Sequence, residues 1–238
     1  MSTIRGARER ARVEVTAAIK DEARRQLAAD GAAKLSLRAV ARELGMVSSA
    51  LYRYFPSRDD LLTALIVDAY DAVGEAAEAA RATAGGSTGP HTARWAVVAC
   101  AVRDWALRHP HEYALIYGSP VPGYTAPQET VGPASRVGLV LVGLARDAHR
   151  TDGLAVPRLS AELRPEVERM GSDLAPDLPP AAVAALVAAW AQLFGLISFE
   201  LFGQFTRVVE DREPFFRHAA LELARSAGLM DGPHGGAA

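Results

Sequence analysis

Residues 36–58 read SLRAVARELGMVSSALYRYFPSR, and their polar side chains are of the kinds that grip phosphates and base edges. Arg38, Arg53 and Arg58 carry guanidinium forks that bind a phosphate or a guanine in bidentate fashion. Ser48, Ser49 and Tyr52 add hydroxyls suited to phosphate oxygens and groove edges. Contacts of this sort need a rigid frame, and the apolar residues between them supply one. Ser36 is placed to N-cap a short helix. Val40, Ala41 and Leu44 recur at helical spacing, and Gly45 ends the run where a left-handed residue is needed. After a three-residue turn, a second helix over about 48–54 turns Leu51 inward and leaves Ser48, Ser49, Tyr52 and Arg53 facing out. The small Ala41 lets the two helices cross closely. The arrangement is a helix-turn-helix, whose second helix enters the DNA major groove.

Charge supports a nucleic-acid partner once it is divided along the chain. The 238 residues carry a net −2, but residues 1–58 hold 12 Lys and Arg against 6 Asp and Glu, and the remainder 14 against 22. The N-terminal module is therefore +6 and the rest −8, the electrostatic footprint expected of a phosphate-binding head. Arginine supplies nearly all of that charge, with Lys20 and Lys34.

Helical patterning continues on both sides. A first helix over 13–29 presents Val15, Ala18, Ile19, Ala23 and Leu27 on one face, completing a three-helix domain with the hairpin. Residues 1–12, with Arg5, Arg8, Arg10 and Arg12, read as a flexible arm that either follows the DNA or stays solvated. Ser57 and Asp60 form a capping box opening a fourth helix, a rigid connector to about residue 80. Residues 83–90 read as a linker. Further helices are expected over 92–108, 111–118, 134–148, 161–171, 180–209 and 213–227, and the proline-rich 119–132 as a long loop. No strand-like alternation is visible. The fold class is all-α, with residues 1–58 as the DNA-binding domain, 59–228 as a larger ligand-binding and dimerisation domain, and 229–238 as a disordered tail.

The stretch from Val13 to Ile66 resembles the DNA-binding domain of TetR-family transcriptional repressors: a long first helix, the hairpin, LYRYF, and Pro-Ser-Arg opening the next helix. That resemblance implies roles for single residues. Tyr52 and Arg58 are expected on phosphates, Arg58 aided by the positive end of the fourth helix. Ser36 and Leu37 lie against the DNA backbone. Arg38 reads a guanine edge, and Ser48, Ser49 and Arg53 add base or backbone contacts. Tyr54 stands where the family often has His. Val47 replaces a usual Ser and Ala50 a usual phosphate-binding Thr, putting methyl groups where hydroxyls are common. In the second half, WAQLFGLISFELFGQF and HPHEYALIYGSPVPGYTAPQ resemble a subgroup named for a Trp-His-Gly signature, with Phe194 in place of its His. In that family the last two long helices pair with those of a second copy.

The remaining residues argue for nothing catalytic. Trp95, Trp105, Tyr113, Tyr117, Trp190 and Phe194 are the aromatics that line an apolar ligand pocket or equally fill the core. His109, His111 and Glu112 are adjacent in sequence and do not converge as metal ligands, so no metal or other cofactor is expected. The single Cys100 excludes an internal disulfide and suits a reducing cytoplasm. The charged N-terminus is unlike a signal peptide. Residues 181–199 lack charge over a membrane-span length, yet their alanines and glycine suit close helix packing in a soluble protein. No phosphate loop, HExxH or GxSxG is present. The expected function is a homodimeric, ligand-released repressor bound to a near-palindromic DNA operator, with residues 119–132 bordering the ligand entrance. The alternatives are a ligand-independent DNA-binding regulator and an all-helical enzyme with an incidental hairpin.

Overall fold

Small apolar residues at i, i+3 and i+4 intervals, set between charged ones, make helix the cheapest structure along nearly the whole chain. The computed structural model describes residues 2–85 and 89–231. Among them ten α-helices occur: α1 (Ser2–Asp30), α2 (Leu37–Glu43), α3 (Ser48–Leu51), α4 (Arg58–Gly85), α5 (His91–Arg108), α6 (Pro110–Tyr117), α7 (Val131–His149), α8 (Arg164–Leu174), α9 (Pro180–Leu201) and α10 (Arg212–Ser226). The all-α class holds, and the only strand-like pairing among the described residues is an isolated bridge between Leu154 and Leu229.

The chain divides into two compact units, residues 1–71 with 109–133, and residues 72–108 with 134–238. The first unit is larger than the 1–58 segment anticipated for the head. Its core joins Ile19, Ala23 and Leu27 of α1 to Val40, Leu51 and Phe55, and to Leu61, Leu62 and Leu65 of α4. Leu115 of α6 and Val121 and Tyr124 of the proline-rich loop pack on the same core, and Tyr124 and Thr63 hydrogen-bond through their hydroxyls at 2.9 Å. Residues 119–132 are thus anchored to the head's apolar core. Polar ties add to this. Arg24 of α1 reaches Asp68 of α4 at 2.6 Å and Glu112 of α6 at 3.1 Å, and Lys20 pairs with Asp68 at 2.8 Å.

In the second unit, Trp95, Val98 and Val102 of α5 are buried with Leu141 and Leu144 of α7, Leu193 and Ile197 of α9 and Phe216 of α10. A buried ion pair crosses this core. Arg103 of α5 donates from Nε and Nη2 to the two carboxylate oxygens of Glu200 on α9, at 2.7 and 2.6 Å. The Arg103 guanidinium also lies 5.3 Å from the Phe216 ring centre.

Five expectations need correction. Residues 2–12 are the first turns of α1, because Ala, Arg and Glu are strong helix formers and the helix simply extends into solvent. α3 is one turn long and gives way to hydrogen-bonded turns through Tyr54. α4 continues to Gly85, and residues 86–88 of the anticipated linker lie outside the described residues. α9 stops at Leu201, where Gly203 (φ 86°) and Arg207 (φ 63°) turn the chain into the left-handed region. Leu229, Met230 and Asp231, expected in a disordered tail, are held instead. Met230 N donates to Gly153 O at 3.0 Å, and Asp231 accepts from Thr92 and Arg225. Residues 232–238 lie outside the described residues.

Candidate nucleic-acid interface

The hairpin is fixed at each of its joints. Ser36 is extended (φ −135°) and its Oγ accepts from Ala39 N at 3.4 Å, capping α2. At the other end Gly45 takes φ 63°, Gly45 N donates to Arg42 O, and Met46 N donates to Ala41 O at 2.8 Å. These paired bonds are a Schellman closure, which needs a residue free to adopt positive φ. α3 then starts directly after Val47, and Leu51 projects into the core with no exposed surface. Neither Ser48 nor Ser49 caps α3. The N-cap is Val47, whose side chain makes no capping bond and is 70% exposed.

Around this frame the ten residues singled out from sequence separate into three groups. Arg38, Ser49, Tyr52 and Arg53 are exposed, and Ser36, Ser48 and Ala50 are half-buried. Among the described residues no hydrogen bond or ion pair engages the guanidinium of Arg38 or Arg53. Two arginines held by a well-packed hairpin and left without a protein acceptor are competent phosphate or guanine ligands. Tyr54 is half-buried against the core, with the Arg12 guanidinium 5.7 Å from its ring centre. Arg12, on a turn of α1 read from sequence as a loose arm, thereby joins the hairpin's neighbourhood.

Leu37 and Arg58 are placed differently from the sequence expectation. The Leu37 side chain is buried in the head's core, so only its main chain is available to a ligand. Arg58 donates from Nη2 to Ala32 O at 2.8 Å and Ala33 O at 3.4 Å, and from Nε to Leu35 O at 3.2 Å. Its fork satisfies the carbonyls of the short 3-10 turn Ala32–Lys34 that delivers the chain into α2. Arg58 therefore positions the hairpin. The capping of α4 is as expected: Asp60 N donates to Ser57 Oγ at 3.1 Å, and Ser57 Oγ donates to Asp60 Oδ2 at 2.7 Å.

The six aromatics considered for a ligand pocket fall in both units. Tyr113 and Tyr117 of α6 form a cluster with Tyr70 of α4, ring centres 5.2 and 5.8 Å apart, and Tyr70 donates to Ile116 O at 3.3 Å. Burial, reinforced by the neighbouring phenols, pushes the Tyr117 hydroxyl far above its ordinary value, and burial pushes Tyr70 up as well. In the second unit Trp95, Trp105 and Phe194 are buried, whereas Trp190 is exposed on α9 and meets Phe194 edge-on at 6.0 Å. Of these four aromatics of the second unit, Trp190 is the exposed one. No cluster of three or more metal-ligating side chains occurs among the described residues.

Known proteins resemble the chain over most of its length. Residues 19–65 match the family described as bacterial regulatory proteins, tetR family, and residues 95–223 match the tetracyclin repressor-like C-terminal domain. The HTH-type transcriptional regulator Rv1816 of Mycobacterium tuberculosis is 42% identical over 214 residues, spanning 84% of this chain and 86% of its own. Mb1846 of Mycobacterium bovis, also an HTH-type transcriptional regulator, has the same figures. The crystal structure of regulatory protein SCO4313 superposes with a TM-score of 0.75 at 35% identity, covering 90% of this chain and 97% of that one. A tetR family transcription regulator from Shewanella sp. PV-4 shares the fold, with a TM-score of 0.56 at 19% identity over 87% of this chain and 94% of its own.

Proposed function

The chain belongs to the tetR family of bacterial regulatory proteins, DNA-binding transcriptional regulators rather than enzymes, and we propose that it is a ligand-released repressor acting as a homodimer on a near-palindromic operator. The observation that carries this reading is the pair of exposed, unpartnered arginines on a hairpin held by the Ser36 cap, the Gly45 closure and the buried Leu51. Arg38 reads a guanine edge, Ser48, Ser49 and Arg53 meet bases or phosphates, and Ser36 and Tyr52 lie on the DNA backbone. Val47 and Ala50 offer methyl groups at the start of α3, suited to thymine methyls. Arg58 acts on DNA only through the Ala32–Lys34 turn that it holds.

Dimerisation has its own support. Trp190 and Phe199 of α9, Phe202 directly after it and Phe215 of α10 are exposed, together with Ala188 and Ala191. A Cβ added at Gly195 would meet nothing within 4 Å. An apolar stripe with a gap for close approach fits a second copy of the same helices. α9 is long and apolar enough to cross a membrane by length and composition, but a partner helix accounts equally for its uncovered face, and a DNA-bound regulator works in the cytoplasm. In a twofold dimer the two α3 helices enter successive major grooves, about 34–36 Å apart. A small-molecule effector held in the second unit releases DNA by favouring a head spacing that mismatches the operator.

The test is a titration of the purified chain onto duplexes carrying near-palindromes from the DNA upstream of its gene. Two chains per duplex, with affinity falling steeply as salt rises, is the expected result. Ala191→Arg on α9 should yield monomers and lose operator binding together. Equal binding by monomers to a single half-site would remove the homodimer from the proposal.

A further inference from the structure

Within the second unit, the C-terminal part of α4, the start of α5 and the end of α7 border an open groove of about 590 Å³. That is within the range of small-molecule sites. Three arginines face it, one from each helix or its immediate end: Arg81, Arg94 and Arg150. All three converge on one carboxylate. Arg81 Nη2 and Arg94 Nη2 each donate to Asp147 Oδ2 at 3.1 Å, and Arg150 Nη2 pairs with Asp147 Oδ1. The other acid on the wall, Glu78, gives both of its oxygens to Arg136, at 2.9 and 2.8 Å. Asp147 alone is thus set against three guanidinium charges, and each fork spends one of its five donors on it. The Arg94 Nε is buried and has no acceptor among the described residues. The cluster carries an excess of positive charge and of hydrogen-bond donors inside a concave, partly shielded space.

The backbone has been shaped to admit these side chains. A Cβ at Gly143 of α7 would collide with the Arg81 guanidinium, and one at Gly153 would meet the His91 imidazole at 2.5 Å. As they are seated, Arg81 and His91 lie against these glycines, and His91 is fixed by a 2.9 Å hydrogen bond to Thr151 Oγ1. Ala82 and Val140 supply an apolar strip in the same wall.

We propose that this groove binds the oxyanion head of a small organic acid, a phosphate monoester or a carboxylate, with Arg81 and Arg150 gripping the head and Ala82 and Val140 supporting the organic body. Planar forks on converging helices match an oxyanion in bidentate fashion, as lysines would not. The site does not depend on the aromatic residues considered above for an apolar effector, and it can be tested without DNA.

The experiment is calorimetric titration of the full chain, in chloride buffer of fixed ionic strength, with phenyl phosphate, benzoate, inorganic phosphate and benzyl alcohol. One site per chain is expected for phenyl phosphate or benzoate, and whichever binds more tightly identifies the head. The neutral alcohol should not bind, and inorganic phosphate should bind at least about fivefold more weakly than its phenyl ester. Arg150 is exposed, so Arg150→Gln leaves the fold intact and should weaken the anion by about tenfold. Asp147→Asn removes the competing acid and should tighten it. Absence of binding by both organic anions, or the same affinity in Arg150→Gln as in the parent chain, would overturn the assignment.

Discussion

Arginine does opposite work on the hairpin of the first unit and inside the second. On the hairpin of the first unit, Arg38 and Arg53 stand in solvent with no acceptor among the described residues. In the second, Arg103, Arg136 and Arg146 are each closed onto a carboxylate from a distant part of the sequence. An unpaired guanidinium is kept hydrated at little cost and is ready for an external anion, whereas a paired one fixes two helices against each other. The basic head and the acidic remainder follow from the same division. Removing an arginine or its partner should therefore have separable consequences: loss of stability where the guanidinium is paired, loss of DNA affinity where it stands free on the hairpin.

The largest effect is expected at Glu200. Its carboxylate and the Arg103 guanidinium are buried, and their hydrogen bond holds the Arg103 charge firmly in its protonated form. Glu200→Ala strands that charge in the core and should cost about 3–5 kcal/mol in denaturant unfolding. Replacing both partners together, Arg103→Met with Glu200→Leu, should recover most of the loss. If the double variant is as unstable as the single one, the pair is not the source of the effect.

Arg58 and Arg38 sharpen the comparison inside the head itself. Arg58→Ala removes the side-chain donor from the carbonyls of Ala32, Ala33 and Leu35, of which Ala32 O keeps only the Leu35 N–H, and should lower stability by about 1–3 kcal/mol. Arg38→Ala should leave the melting curve unchanged, reduce operator affinity by about 1–3 kcal/mol and relax preference at one base pair. Uniform weakening over all operator variants would reassign Arg38 to a phosphate. A melting shift for Arg38→Ala as large as that for Arg58→Ala would erase the distinction between gripping and positioning.

The same contrast explains what could be read in the sequence. The hairpin depends on contacts only a few residues apart: Ser36 with Ala39, Gly45 with Arg42, Ser57 with Asp60. Local spacing carries that information, so caps, turn and buried Leu51 were legible. The contacts of Arg58 were not legible, because its acceptors lie 23 to 26 residues upstream on the main chain, which no side-chain pattern marks. In the second unit Arg103 and Glu200 are 97 residues apart, and Arg81 and Asp147 66 apart. Only folding brings them together. Gly143 and Gly153, which make room for Arg81 and His91, look in sequence like any other glycine. The end of α9 failed for a different reason: Phe202, Phe205 and Val209 continue the helical apolar spacing past Leu201, and a left-handed Arg207 has no compositional signal.

Ser36 tests how far the hairpin's order rests on its cap. Its Oγ is the acceptor for Ala39 N, and a cap of this kind contributes about 0.5–2 kcal/mol. Ser36→Ala should lower the unfolding midpoint by that amount and weaken every DNA sequence alike. Ser36→Gly should be milder, since glycine is itself tolerated as an N-cap. Restoration by Ser36→Asp at low salt, with DNA binding still impaired, would separate the capping role from a direct contact to the backbone, because the aspartate caps but repels phosphate.

The smallest effect is expected at His91, where the second unit meets pH. Burial, aided by the Arg94 charge on the same helix, holds the imidazole below its ordinary value of 6.5, and Asp147 across the groove opposes this only in part. Arg81 and Arg150 add positive charge to the same wall. The folded chain therefore binds fewer protons at His91 than the unfolded chain just beneath pH 6.5. Stability must rise with pH across that window and fall as the pH is lowered through it. Thermal melts between pH 5.5 and 7.5 (roughly one unit either side of the ordinary histidine value) should show this step, and His91→Gln should flatten it. An oxyanion in the groove reverses the local balance by favouring the imidazolium, so saturating phenyl phosphate should shrink the step in the parent chain and leave His91→Gln unmoved. A step that survives His91→Gln belongs to another histidine, and the three arginines then have no hold on this one.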